Sequence, residues 1–595
     1  MGDTTEALWM KSEVASDPFA RELAVIATCE TGRTTSGHPY LVEPAWVRFR
    51  DWVPHTLDDG PRVIDALAVV ERALASLTLD DEMRARAADA CSVVRQVVQT
   101  AAITAPPDLW LLRHVLATFA RRGLSSLLAK GEVLAPAVVA SSHGLLRDEL
   151  AIDLRLLLAR GLLRVTPDGF RAADHARARA CFAWTPVTDA RWPSTLTELW
   201  RRALVDGGDD DVRATLVDLA ATPLPLRVPS QGGWAPGPRE IEVGFREVPL
   251  VLALRATHKT RALVDAGQVT GTFADPAIDR AAQTVLHDAG VVDRGGALTV
   301  VGRRVLERGP GPFGIIETYH AYMARLDEIW TKGRASVWVE RTANVAASQD
   351  ANRASFERAN DALDRFVKDT GFTYRVFIEH ALGKGEATRQ RFSRAGDALT
   401  YVGADLEDAA IDAAVVEQQK GHLPRAMHFV RQADIGAPDV LARALDDAGV
   451  SMQGAVMIVG NGFHEVREQT DDKMTRILSG YAQKGVVLLF TEETGLGVDD
   501  LLHTAWNTYH AGFKYVHERS GQGLRPAERR PPTPLDTALP RSWVECAERA
   551  GYVRLDAYSP RGRTVYPYTP TSGHNPSISV THFCVPRALA DSLGL

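Results

Sequence analysis

Apolar residues recur at three-to-four spacing over residues 63–77 and again over 87–98, and the pattern from about Pro18 to Ala172 is helical throughout. A more specific order closes that stretch. Residues 145–158 read as a helix running into the apolar Leu162-Leu163-Arg164-Val165, then a turn at Pro167-Asp168-Gly169 and a return at Phe170-Arg171. Helix, strand, tight turn, strand is the order of a winged helix. It recurs as a helix over 278–287, a strand entered at Val291-Val292, a turn at Arg294-Gly295-Gly296, a return over 297–301 and a new helix over 302–306, which suggests an internal duplication. Residues 222–246, rich in Pro and Gly, mark a boundary between the two. The Gly/Pro run 309–314 reads as a junction before a helix that begins near Ile315 and carries Tyr319, His320 and Tyr322, and another helix spans 346–367.

From Tyr374 onward the pattern changes to short apolar runs at 374–378, 400–402, 428–431, 454–459 and 486–491, separated by helices. That alternation predicts a parallel α/β sheet, in which ligands bind at the carboxyl ends of the strands. The first run ends in Glu379-His380-Ala381-Leu382-Gly383-Lys384-Gly385-Glu386, where Gly383 and Gly385 let the backbone turn tightly. The second ends at Asp405, a carboxylate able to accept hydrogen bonds from both hydroxyls of a ribose. The third ends at Asp434 and Ile435, an acid and an apolar residue suited to an adenine amino group and ring face. The fourth ends in Gly460-Asn461-Gly462-Phe463-His464-Glu465, and extended segments at 553–558 and 577–585 close the chain.

Composition narrows the classes. At roughly 150 residues per domain, 595 residues predict about three or four folding units. A charge of −7, from 68 basic and 75 acidic side chains, supplies no global field for a nucleic-acid backbone or an anionic membrane. In the first winged-helix pattern Arg147, Arg155 and Arg160 alternate with Asp148, Glu149 and Asp153, so no basic stripe forms and nucleic acid is not the expected partner. The five cysteines are scattered without a CxxC pair, which points away from a disulfide framework and a thiolate zinc site. No signal-peptide or membrane-spanning pattern is found, and a cytoplasmic location is expected.

Taken in order, Glu379, Gly383, Gly385, Asp405 and Asp434 resemble the class I S-adenosylmethionine-dependent methyltransferases, with Ala381 standing where that family has the first glycine of its loop. The dinucleotide-binding Rossmann fold shares the first two features. The acid ahead of the loop, the Asp after the third strand and the closing strand pair favour the methyltransferase. The resemblance implies an α/β fold with a C-terminal Rossmann-like domain over 346–595, preceded by a winged-helix-like dimerisation and lid region over 176–345 that corresponds best to about 245–342. The first 240 or so residues lie outside the resemblance, and the mainly α-helical, winged-helix-containing N-terminal domain over 1–175 is read from the pattern alone. The resemblance further implies S-adenosylmethionine as cofactor, held by Glu379, Gly383, Gly385, Asp405, Asp434, Ile435 and Asn461, a small-molecule substrate of specialised metabolism, and a homodimer.

His464 and Glu465, at the substrate-facing end of the fourth strand, are the first candidates for catalysis, with His510 in the later Trp506–His517 segment as a third. The His-acid pair and later His resemble the metal site of some methyltransferases that act on the carbon next to the keto group of 2-oxo acids. That resemblance implies a divalent metal on His464, Glu465 and His510, although the family uses Asp in the middle place; a plain His base is the alternative. Arg467, Lys514 and Arg525 are candidates to hold a substrate carboxylate, and the polar, aromatic loop 562–576 either lines the acceptor pocket or connects strands. Methylation of a protein or nucleic acid, and a non-catalytic sensor of the nucleoside, stand as alternative functions.

Overall fold

Asp80 starts the helix that organises the N-terminal part of the chain. Its carboxylate accepts the Met83 N–H at 2.7 Å, and the helix Asp81–Arg121 then runs for 41 residues. The computed structural model describes residues 13–34, 37–50, 59–186, 196–229, 235–337, 342–504, 506–533, 535 and 539–595. They fall into two compact units, one made of Met1–Val339, Val498–Val516 and Thr564–Pro576, the other of Glu340–Gly497, His517–Arg563 and Ser577–Leu595. No described helix is long and apolar enough to cross a membrane.

The first unit is helical. In the helix Asp81–Arg121 every residue from 104 to 119 is buried, so Arg113 and His114 lie inside the unit. Arg113 Nε lies 3.3 Å from Glu242, which also accepts Arg246 Nε at 3.0 Å, and the Arg113 guanidinium sits 3.8 Å from the centre of the Phe245 ring. Paired in this way, two arginines and one carboxylate tolerate burial. The partner helix Pro238–Ala256 passes closely at Gly244, where an added Cβ would stand 2.7 Å from Leu109 Cβ.

Two short antiparallel pairs belong to this unit: β1 (Thr31–Arg33) with β2 (Pro39–Leu41), and β3 (Leu163–Thr166) with β4 (Gly169–Ala172). The second follows the helix Arg147–Ala159, in the order expected at the first winged-helix pattern. The expected second copy differs. Residues 297–301 do not form a return strand: Ala297 and Leu298 make isolated bridges to Gln268 and Val292, and a helix begins at Val300. Two side chains explain this. Asp293 Oδ1 accepts the N–H groups of Gly295 and Ala297, closing a turn, and Thr299 caps the helix by accepting Gly302 N–H at 2.8 Å.

The expected junction at 309–314 is also helical. Pro310 opens the helix Pro310–Glu317, where its missing N–H costs nothing, and a separate short helix, His320–Ala324, follows; Tyr319 lies in the turn between them as the N-cap of the second, which holds His320 and Tyr322. The loop 564–576 packs within the first unit: Tyr566 Oη donates to Asp500 at 2.6 Å and Tyr568 stacks on Trp46 at 5.0 Å.

The second unit holds the sheet. Strands β5 (Val376–His380), β6 (Thr400–Ala404), β7 (His428–Val430), β8 (Val456–Gly460) and β9 (Val487–Glu493) are parallel, and β10 (Tyr552–Arg554) and β11 (Ser579–Pro586) close the edge antiparallel. The order is β10-β11-β9-β8-β5-β6-β7. Alternate residues of each strand face opposite cores, Ile378 and Val459 one, Phe377 and Ile458 the other. The second core is covered by Phe356, Leu363 and Phe366 of the helix Thr342–Thr370. Strand order runs outward from β5 in both directions, so the connections diverge between β5 and β8 and open a crevice at their carboxyl ends.

Candidate functional site

The glycine loop is held from beneath. Glu379 is buried, and its two oxygens accept the N–H groups of Ala387 (3.1 Å) and Thr388 (2.7 Å) in the first turn of the helix Glu386–Ala395. Burial raises its carboxyl to about 7. Glu379 thus shapes the loop. Gly383 (φ +52°) and Gly385 (φ +78°) take the left-handed turns expected of glycine, and Ala381 (φ +56°) takes one as well. An L-residue there is strained, as are Gln432 (φ +52°) after β7 and Asn461 (φ +53°) after β8. Strain of this kind at three strand ends is found where a ligand site over-determines the backbone.

Asp405 links the loop to its neighbours. One oxygen accepts Gly383 N–H at 3.0 Å and the other accepts Glu407 N–H at 3.0 Å, while its backbone accepts Ala433 N–H at 2.9 Å. Each bond orients one oxygen and leaves it further acceptor capacity. Burial raises this carboxyl too, against the opposing backbone N–H groups. Asp434 accepts Gly436 N–H at 2.7 Å, Tyr481 Oη donates to the Ile435 carbonyl at 3.0 Å, and Asn461 N–H donates to the Thr491 carbonyl at 2.8 Å. A Cβ on Gly462 would stand 3.2 Å from Ala381 Cβ and 3.3 Å from Ile435 Cδ1, so the loops after β5, β7 and β8 converge.

Beside this cradle, His464 sits on the short turn Phe463–Glu465 after β8. Glu492, near the end of β9, is fully buried; Oε1 accepts Phe463 N–H and Oε2 accepts His464 Nδ1–H, each at 2.7 Å. A carboxylate can only accept, so Nδ1 carries a proton in either charge state, and Nε2 is the nitrogen that exchanges its proton. His464 Nε2 lies 3.4 Å from Glu465, and the His464 and His517 rings meet edge to face at 5.0 Å. Burial opposes charge on His464, but the carboxylates of Glu492 and Glu465 outweigh it and raise the imidazole to about 10. Gln522 donates to Glu465 and in turn accepts Ser520 Oγ–H at 2.7 Å.

Ligand atoms of His464, Glu465 and His517 all lie within 4.8 Å of one another, a grouping able to hold a metal ion. His517 therefore takes the place expected for His510. The latter belongs to the first unit, where its Nδ1 hydrogen-bonds the Thr508 hydroxyl. Both sit on the helix His510–Ser520, two turns apart on one stripe, so their spacing from the His-acid pair could not choose between them. Arg525, a candidate for holding a carboxylate of the substrate, is instead bound to Asp471 at 2.5 Å and Gln469 at 3.1 Å.

No family model and no curated protein matches the chain. Solved structures do. An O-methyltransferase family 2 protein from Planctomyces limnophilus, in complex with apigenin, is 10% identical over 81% of this chain and 96% of its own, with a TM-score of 0.31. An O-methyltransferase from neocarzinostatin biosynthesis, in complex with S-adenosyl-L-homocysteine and 1,4-dihydroxy-2-naphthoic acid, is 14% identical over 57% of this chain and 95% of its own, with a TM-score of 0.31. A riboflavin-analogue dimethyltransferase from Streptomyces davawensis is 14% identical over 80% of this chain and 95% of its own, with a TM-score of 0.24. At such values the likeness transfers neither activity nor ligand to this chain.

Glu492 and His517 are not marked by the sequence, for different reasons. Glu492 lies one residue past the apolar run 486–491, and only pairing of β9 with β8 brings it to His464. His517 was in view, in the segment that held His510.

Proposed function

We propose that the chain is an S-adenosylmethionine-dependent methyltransferase acting on a small-molecule acceptor of specialised metabolism, a hydroxyl or an activated carbon, as a homodimer. The observation that carries this reading is the hydrogen bond from Gly383 N–H to Asp405. It joins the glycine loop of one strand to the acid of the next, and Asp405 keeps lone pairs for two ribose hydroxyls. Asp434 and Ile435 would hold the adenine, and the backbone of Gly383, Gly385 and Asn461 the remainder. When bound, the sulfonium supplies an electrophilic methyl group for in-line displacement.

The chain's own part is orientation and proton transfer. Glu492 fixes His464 with Nε2 as the exchanging atom. With the imidazole raised to about 10, the ring is protonated at ordinary pH, so only its deprotonated form takes the proton of a hydroxyl acceptor at Nε2, and Glu492 and Glu465 hold the imidazolium. A second reading of the acceptor side is favoured by the mutual approach of His464, Glu465 and His517. A divalent cation there would polarise a bidentate oxo acid, with Glu492 orienting His464 through Nδ1.

Calorimetry with S-adenosylmethionine, then mass spectrometry of a panel of phenols and oxo acids with methyl-labelled cofactor, with and without chelator, tests both. Absence of cofactor binding overturns the reading. Binding without transfer to any small molecule, peptide or nucleic acid favours a sensor, and chelator-insensitive transfer eliminates the metal.

A further inference from the structure

His380, the last residue of β5, has no role in what precedes. It is paired with Ala404 of β6 and Val459 of β8, so it stands at the carboxyl edge of the strand from which the sheet runs outward both ways. By strand alternation it faces away from Glu379 and shares its side with Ile378, Ala404 and Val459, which belong to an apolar core. It is 1% exposed. Its Nδ1 accepts the Ala381 N–H at 2.9 Å, which assigns the proton of the neutral ring to Nε2. That Nε2–H finds no hydrogen-bond partner among the described residues. Burial lowers the imidazole to about 4, so the ring is neutral at ordinary pH.

A buried donor without an acceptor costs free energy that an apolar side chain of similar size would not. The next residue, Ala381, holds a left-handed backbone and meets Gly462 and Ile435, where the loops converge. Resting on the methyltransferase reading, we infer that His380 is a nucleoside-binding residue whose Nε2–H donates to an acceptor atom of the adenosine part of the cofactor. Because the ring is enclosed in the free protein, binding must part the side chains around Nε2 before the acceptor reaches it, and the unsatisfied donor is then satisfied.

A binding role and a core role give opposite signs. His380→Val should leave the melting temperature of the ligand-free protein unchanged or higher, yet weaken S-adenosylhomocysteine and adenosine by tenfold or more in calorimetry. Equal affinity of the variant and the wild type for both ligands overturns the inference, and so does a loss seen with S-adenosylhomocysteine but not with adenosine. If the variant does not fold, nitrogen NMR of the histidines in the wild type decides: the His380 Nε2–H resonance must shift when adenosine is added, and an unmoved resonance in ligand-saturated protein overturns the assignment. Wild-type protein that binds neither ligand overturns the methyltransferase reading itself, a result distinct from normal binding with an indifferent His380.

Discussion

Glu492 and His464 are locked to each other at 2.7 Å, and the second oxygen of the same carboxylate holds Phe463 N–H at 2.7 Å. One buried side chain therefore sets both the tautomer of the imidazole and the turn that carries it. In metal-free protein, Glu492→Gln removes a negative charge that favours the imidazolium, so NMR titration should place His464 well below the wild-type value of about 10. An unchanged titration removes Glu492 as the cause. His464→Ala should lower turnover by about 10²–10⁴-fold if the imidazole moves the proton.

Asp405→Asn keeps an oxygen for Gly383 N–H but loses the charge that would accept two ribose hydroxyls. Hydrogen bonds to a charged group contribute roughly 1.5–3 kcal/mol, so affinity for S-adenosylmethionine should fall about 10- to 100-fold in calorimetry. Wild-type affinity in this variant would separate Asp405 from the cofactor.

Metal binding discriminates the two histidines of one helix. Titration with cobalt(II), read by its visible absorption, should show a bound ion in wild type and in His510→Ala, and none in His517→Ala or Glu465→Ala. Retention of the signal in His517→Ala would dissolve the grouping.

Glu247, buried in the helix Pro238–Ala256, is raised by burial to about 8 from an ordinary value of 4.5. The folded protein therefore holds a proton that the unfolded chain releases between those two values. Stability from this group is present below about 4.5 and is lost as pH rises through about 8. Glu247→Gln removes that dependence, and its melting temperature relative to wild type should increase from pH 5 to pH 9, by an amount on the order of a few kcal/mol in stability. A constant difference across that range would mean the carboxyl is charged when folded.

Gly244→Ala sets two effects against each other. Helix propensity favours alanine by about 1 kcal/mol. The new Cβ would stand 2.7 Å from Leu109 Cβ and 3.1 Å from the Pro106 carbonyl, both fixed to a second helix, and overpacking of that kind costs about 1–3 kcal/mol. Net destabilisation in chemical denaturation is expected; stabilisation would mean the two helices separate readily.

Much of the second unit was legible along the chain. The apolar runs at 374–378, 400–402, 428–431, 454–459 and 486–491 each fall on an observed parallel strand, and the closing pair is present, because buried strands and their end residues are written in local order. The first unit is less legible. Asp293 and Thr299 turned an expected return strand into a capped turn and helix, and Pro310 began a helix where a junction was expected, since local side-chain hydrogen bonds compete with the strand pattern.

The sequence by itself determined which residues stand at the strand ends: Glu379 follows its apolar run directly, Asp405 and Asp434 with two residues between, and the His464-Glu465 pair after Gly460-Asn461-Gly462-Phe463. Only the tertiary structure decided which side chains serve one another. Glu492 is 28 positions from His464 and reaches it because β9 lies beside β8; His517 joins the pair instead of His510 although both occupy one stripe of one helix. Periodicity records the face a residue occupies, but not which neighbouring element covers that face, and that second choice is made by sheet order and packing.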